Sequence, residues 1–138
     1  MMKKILFSLM AAAAILTVAG TMTSCEKVES GTVLYSVDMG TFEDNMDVLR
    51  NAVEKDFISQ GLKWAGAGHN YILEGEVKEC NKKATAIFQS CCKAVDQDRS
   101  RLAVRQLAIK GQTIKLVYCY GSSEEHELST YTFVEEDQ

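Results

Sequence analysis

Proline is absent from all 138 residues, so no stiff Pro-rich spacer divides the chain, and its breaks must come from glycine and short polar residues. Histidine occurs twice and no CxxC pair exists, so the spacing announces no tetrahedral zinc site, and neither metal nor cofactor is expected. No cluster of basic residues is present and the net charge is −4, which argues against a polyanionic partner; no nucleic acid is expected. Internal repeats are also missing. The one long apolar run, Ile5 to Ala19, is shorter than the roughly 20 residues a membrane-spanning helix needs.

That run has a different use. Lys3 and Lys4 precede it as a positive head, and small polar residues follow it up to Cys25, the layout of a cleaved signal peptide. Met22, Thr23, Ser24 and Cys25 resemble the lipobox of bacterial lipoproteins, with Met22 standing where that family usually has leucine. The resemblance covers the leader alone. It implies cleavage before Cys25, diacylation of that cysteine, and an envelope protein held to a membrane by lipid, the outer membrane rather than the inner. The expected organisation is a signal peptide over 1–24, a lipidated tether over 25–30, one domain over 31–134 and a solvated tail over 135–138. Cleavage removes two lysines and no acids, leaving 114 residues with a charge of −6, enough for one core and too few for two.

Within the domain, Val33, Tyr35 and Val37 alternate with polar residues, predicting a strand over 32–38. Thr41 and Asp44 form a capping-box pattern, and Phe42, Met46, Leu49, Val53 and Phe57 then recur at helical spacing up to Gly61. That pattern turns Asp47, Arg50 and Glu54 to water. A glycine-containing loop around Trp64 and His69 leads to a second strand over 71–77, and Ala84, Ile87, Phe88, Cys91 and Val95 mark a second helix over 80–97. Residues 96–101 read as a charged connector. Three more strands follow, carrying Arg105 to Ile109, Ile114 to Tyr118 and Leu128 to Val134, the first two joined through a type II′ turn at Gly111 and Gln112. The expected fold is α+β, a two-layer α/β sandwich of order βαβαβββ. Its helices cover one face of a mixed five-stranded sheet whose first two strands are parallel neighbours. A doubly wound fold is the alternative.

Candidate chemistry is sparse. The uncovered sheet face is expected to be mostly polar, with Leu34, Ile72, Val117 and Leu128 forming a patch that fits a protein or glycan partner; scattered apolar surface is the plainer meaning. Cys80 and Cys91 lie eleven residues apart on one helix, roughly 16 Å, too far for a disulfide. A bridge would therefore join a helix cysteine to Cys119, Cys91 with Cys119 being the pair to consider, against a plainer reading of small buried thiols. Glu74 and Glu76, or a thiol such as Cys92 with His69 or His126, could serve a small hydrolase, but a solvated strand and buried cysteines explain them as well. Trp64 reads as a loop anchor on the core, and Tyr118, Tyr120, Tyr131 and Phe133 as cross-strand packing rather than a sugar platform. The function expected on balance is a non-enzymatic binding or accessory module, with a small envelope enzyme as the alternative.

Mass spectrometry of the mature chain should find a diacylglyceryl group on Cys25, absent in Cys25→Ala; an unmodified chain starting elsewhere contradicts the address.

Overall fold

Met39 and the alternating Val33, Tyr35 and Val37 are each at most 5 % exposed, and the first strand, β1 (Ser30–Asp38), forms around them. The computed structural model describes residues 29–40, 46–103 and 107–137. The leader, Cys25, the capping pattern of Thr41 and Asp44, Phe42, Arg105 and Gln106 lie outside the described residues.

The helical stripe of Leu49, Val53 and Phe57 is fully buried, but it is carried by two helices, α1 (Met46–Glu54) and α2 (Phe57–Gln60), separated by a turn at Lys55 and Asp56. Gly61 ends α2 at φ +124°, a backbone conformation few side chains adopt, and its N–H returns to the carbonyls of Phe57 and Ile58. The chain then forms a two-residue strand, β2 (Lys63–Trp64), turns, and returns as β3 (Tyr71–Glu76). Helix α3 (Val77–Gln97) begins directly at the end of β3. A short 3₁₀ turn over Arg99–Arg101 follows, then β4 (Thr113–Cys119) and β5 (His126–Thr132).

The five strands lie in the order β2-β3-β1-β4-β5, and every neighbouring pair is antiparallel. The expected mixed sheet and parallel first pair are therefore corrected. The cause is β2, two residues inside a loop and too short to show a period of two. It reverses the chain once more, so that β3 meets β1 head to tail, with Leu34 opposite Ile72. Strands β3 and β4 flank β1 and run parallel to each other across it, joined through α3. With β5 set aside, the connectivity is the βαββαβ pattern known as ferredoxin-like.

The expected strand over 105–109 is also corrected. Leu107 to Ile109 are in no strand, and Ile109 to Gln112 form a turn closed by the Gln112 N–H on the Ile109 carbonyl. Gly111 sits at the second central position with φ +88°, where a type II turn needs it, rather than at the first position of a type II′ turn.

The core is one cluster built from β1, β3, β4, all three helices and Phe133, and α3 packs on β1, β3 and β5 as well as on α1 and α2. Two charged residues from the expected connector belong to this interior. Asp96, 2 % exposed, accepts hydrogen bonds from the Tyr131 hydroxyl (2.6 Å), the backbone N–H of Val134 and of Glu135 (3.1 and 3.0 Å), and Arg99 Nη2 (3.1 Å). Arg99, 4 % exposed, also donates to the Glu135 carbonyl and to Asp137. Asp137 in turn accepts from the N–H groups of Ile109 and Lys110. Residues 135–137, expected as a solvated tail, are thus tied to the end of α3 and to the Ile109 turn.

Burial pushes the Asp96 carboxyl upward, but the bonds from Tyr131, Val134, Glu135 and Arg99 outweigh it and hold it below the usual carboxylate range. A lowered folded-state value adds stability that is complete above the unfolded carboxylate range and lost as pH falls through the folded one. Asp96→Asn should therefore cost about 3–5 kcal/mol at pH 7, the range for breaking a buried ion pair. The gap from wild type should narrow below about pH 4. Urea unfolding at the two pH values checks both; a cost under about 1 kcal/mol at pH 7 contradicts the role given to this carboxylate.

Candidate functional site

Glu54, expected in water, is 7 % exposed. It closes α1 at the point where the helix breaks, and β3 and its preceding loop bring two partners to it. The Tyr71 hydroxyl donates to Glu54 Oε1 at 2.9 Å, and His69 Nδ1 lies 2.9 Å from the same oxygen. Phe57 stacks edge-on against Tyr71, with ring centroids 5.1 Å apart, which fixes the phenol. Burial raises the Tyr71 hydroxyl, and the bond to Glu54 raises it further, so this group remains a proton donor throughout the ordinary pH range. Glu54 Oε2 is buried with no hydrogen-bond partner among the described residues.

The hydrogen bond between His69 Nδ1 and Glu54 Oε1 fixes the orientation of the imidazole. Among the described residues His69 makes no hydrogen bond to a serine or cysteine, so no nucleophile is assembled beside it, and no group of three or more His, Cys, Asp or Glu residues is placed to hold a metal ion. Trp64 stands beside this cluster, opposite Tyr71 in the register. It does tie its loop together, through Nε1–H to the Gly68 carbonyl at 3.0 Å. At 53 % exposed, however, it is not packed on the core as expected.

On the other sheet surface, Leu34 pairs with Ile72 and with Cys119, and Ser36 with Val117. Leu34 and Ile72 are half-buried. Val117 is buried, yet outside the main core cluster. Leu128 leaves the expected patch altogether. The register slips between Leu116 and Val117, so that Ser129 faces Leu116 while Glu127 faces Val117, and Leu128 is the extra residue of a bulge. It lies in a groove of about 360 Å³ with Lys78, Asn81, Lys82 and Thr85 of α3.

A second recess, of about 310 Å³, is lined by Ser36, Val37, Asp38, Met39, Gly40, Arg50, Val117 and Glu125. Asp38 Oδ1 accepts from the Gly40 N–H. Arg50, another residue expected in water, has its Nε buried without a partner among the described residues. The recess draws on α1, β1, β4 and the β4–β5 connection, which no single stretch of sequence could reveal.

Cys80, Cys91, Cys92 and Cys119 are all free, which corrects the Cys91 and Cys119 bridge. Cys91 meets Gln60 of α2, whereas Cys119 contacts the Ser123 carbonyl in the connection beyond β4. Burial pushes the Cys91 thiol up to about 11 and Cys92 higher still, the opposite of what a nucleophile needs. His126 packs against Tyr118, with ring centroids 5.3 Å apart, and among the described residues the only side-chain partner of His69 is Glu54. Glu74 and Glu76 are exposed along β3. The hydroxyls of Tyr120 and Tyr131 are engaged by Ser30 and Asp96, consistent with packing rather than a sugar platform.

No protein-family model, curated protein or solved structure matches this chain.

Iodoacetamide at mild alkaline pH should label Cys119 first and reach Cys80, Cys91 and Cys92 only when the chain unfolds, as read by peptide mass spectrometry. Native labelling of Cys92 at the rate of an open thiol contradicts the burial described.

Proposed function

We propose that the chain is an envelope lipoprotein, anchored through lipid on Cys25 and more at home in the outer membrane than the inner, whose domain is a non-enzymatic binding or accessory module. In this reading the helices form one layer over one face of the sheet, and the other face, with Leu34 and Ile72, together with the charged recess at the end of β1, is left for a protein or glycan partner.

The observation that carries the binding role is the recess of Ser36 to Gly40, Arg50, Val117 and Glu125, large enough for a small ligand or the tip of a larger one. Its placement fits an anchored protein. The Glu29 carbonyl accepts from the Val77 N–H at 2.8 Å, which pins the tether at the start of β1. The eight steps to Asp38, at about 3.4 Å each, carry the strand roughly 27 Å away from that point. Ligand residues near Asp38 therefore sit away from the lipid, and the tether, at most about 3.5 Å per residue, keeps the opposite end near the bilayer.

One observation favours the enzymatic alternative: the imidazole of His69 held by buried Glu54. It gains weight only with a nucleophile or substrate to act on: burial raises the Cys91 and Cys92 thiols instead of activating them, and Glu74 and Glu76 lie exposed along β3.

Affinity capture from membrane extracts with the lipidated chain should retain a partner that Arg50→Gln loses at unchanged thermal stability. A measurable turnover in a hydrolase screen that disappears in His69→Gln, with no retained partner, contradicts the binding role.

A further inference from the structure

The recess beside the end of β1 holds both signs of charge, and within it they do not neutralise each other. Among the described residues Arg50 has one carboxylate within 4 Å, Asp47 at 3.8 Å, which is beyond hydrogen-bond distance. Its Nε is buried and unpartnered. Asp38 spends one oxygen on the Gly40 N–H. Neither Asp38 nor Glu125 forms an ion pair among the described residues, although Lys115, opposite Asp38 in the register, is close by and pairs instead with Glu127 at 3.2 Å. A partly exposed guanidinium with no carboxylate in hydrogen-bond distance among the described residues is a fork suited to a carboxylate. Two carboxylates, Asp38 and Glu125, also line the recess, and they suit an ammonium group. Val37, Met39 and the buried Val117 also line the recess, and its mainly polar lining suits a ligand with a short body between its charged ends.

We propose that this recess is a binding site for a small zwitterion bearing a free carboxylate and a free ammonium group, an unblocked amino acid or dipeptide, with Arg50 taking the carboxylate and Asp38 and Glu125 the ammonium. The proposal deepens the binding-module reading and rests on it for its biological sense, but the site itself needs no lipid. Each end of the ligand supplies the charge its pocket residue lacks, which a simple anion or cation would do at one end while leaving the other desolvated and unpaired. Selectivity should therefore depend on both ends being unblocked.

The test is calorimetric titration of the full mature chain in detergent micelles with alanine, alanylalanine, N-acetyl-alanylalanine and alanylalanine amide. At least one unblocked compound should bind, and each blocked dipeptide should bind more weakly than alanylalanine by about tenfold or more. Arg50→Gln should lose binding; Arg50→Lys, which keeps charge without the planar fork, should weaken it; and Asp38→Asn, at an exposed position that keeps an acceptor for the Gly40 N–H, should weaken it with the melting temperature unchanged. Lys110→Gln, outside the recess, should leave it intact. Equal binding of either blocked dipeptide, or no heat from any compound at about 10 mM, overturns the proposal. A mass spectrum of the same sample reports the lipid separately, so a failed titration on a lipidated chain leaves the address standing, and binding by an unlipidated chain leaves the site standing.

Discussion

The carboxylate of Asp96 is the point through which the end of the chain is joined to the rest. Strand β5 is an edge strand, and an edge strand with hydrogen bonds on one side alone is held weakly. Here the Tyr131 hydroxyl and the N–H groups of Val134 and Glu135 converge on one buried acid at the end of α3, while Arg99 neutralises it from the following turn. An ionised carboxylate in the interior is costly unless its lone pairs are satisfied and its charge is matched. Asp96 meets both conditions, and Arg99 is matched again by Asp137. The network stabilises less by attraction than by making any loosening of β5 leave a buried charge uncompensated.

That constraint shapes the surfaces elsewhere. With the Tyr131 end of β5 held on α3, and Gln89 bonding both the Ser129 hydroxyl and the Thr130 carbonyl, the strand reaches the register of Tyr118 and His126 through a bulge. The bulge turns Leu128 toward α3 and places Glu127 beside Lys115. The same arrangement leaves Val117 buried outside the core, as one wall of the charged recess. Glu54 plays a smaller version of the part played by Asp96, gathering Tyr71 and His69 where α1 breaks, but with one oxygen left without a partner among the described residues.

Periodicity made the apolar framework legible. The alternation of Val33, Tyr35 and Val37, the stripe of Leu49, Val53 and Phe57, and the spacing of Ala84, Ile87, Phe88, Cys91 and Val95 each correspond to buried positions. The same rule misplaced the charges. A helical wheel sends Arg50 and Glu54 to solvent because it sees one helix and not the strands and loops that later meet it, and Asp96 and Arg99 read as a connector because their partners lie some 35 to 40 residues on. The sheet order was hidden for a related reason: two residues, Lys63 and Trp64, decide the direction of β3, and two residues carry no pattern. The recess was beyond reach because its walls are contributed from positions 36 to 40, 50, 117 and 125.

Native-state hydrogen exchange at single-residue resolution tests the dependence on Asp96 most directly. The amides of Val134 and Glu135 lie beyond the last residue of β5 and are bonded to a side chain instead of a neighbouring strand. They should exchange through the same global opening as the amides of β1 and β4. Exchange of Val134 and Glu135 at the rate of a fraying terminus, while β4 stays protected, would contradict that dependence.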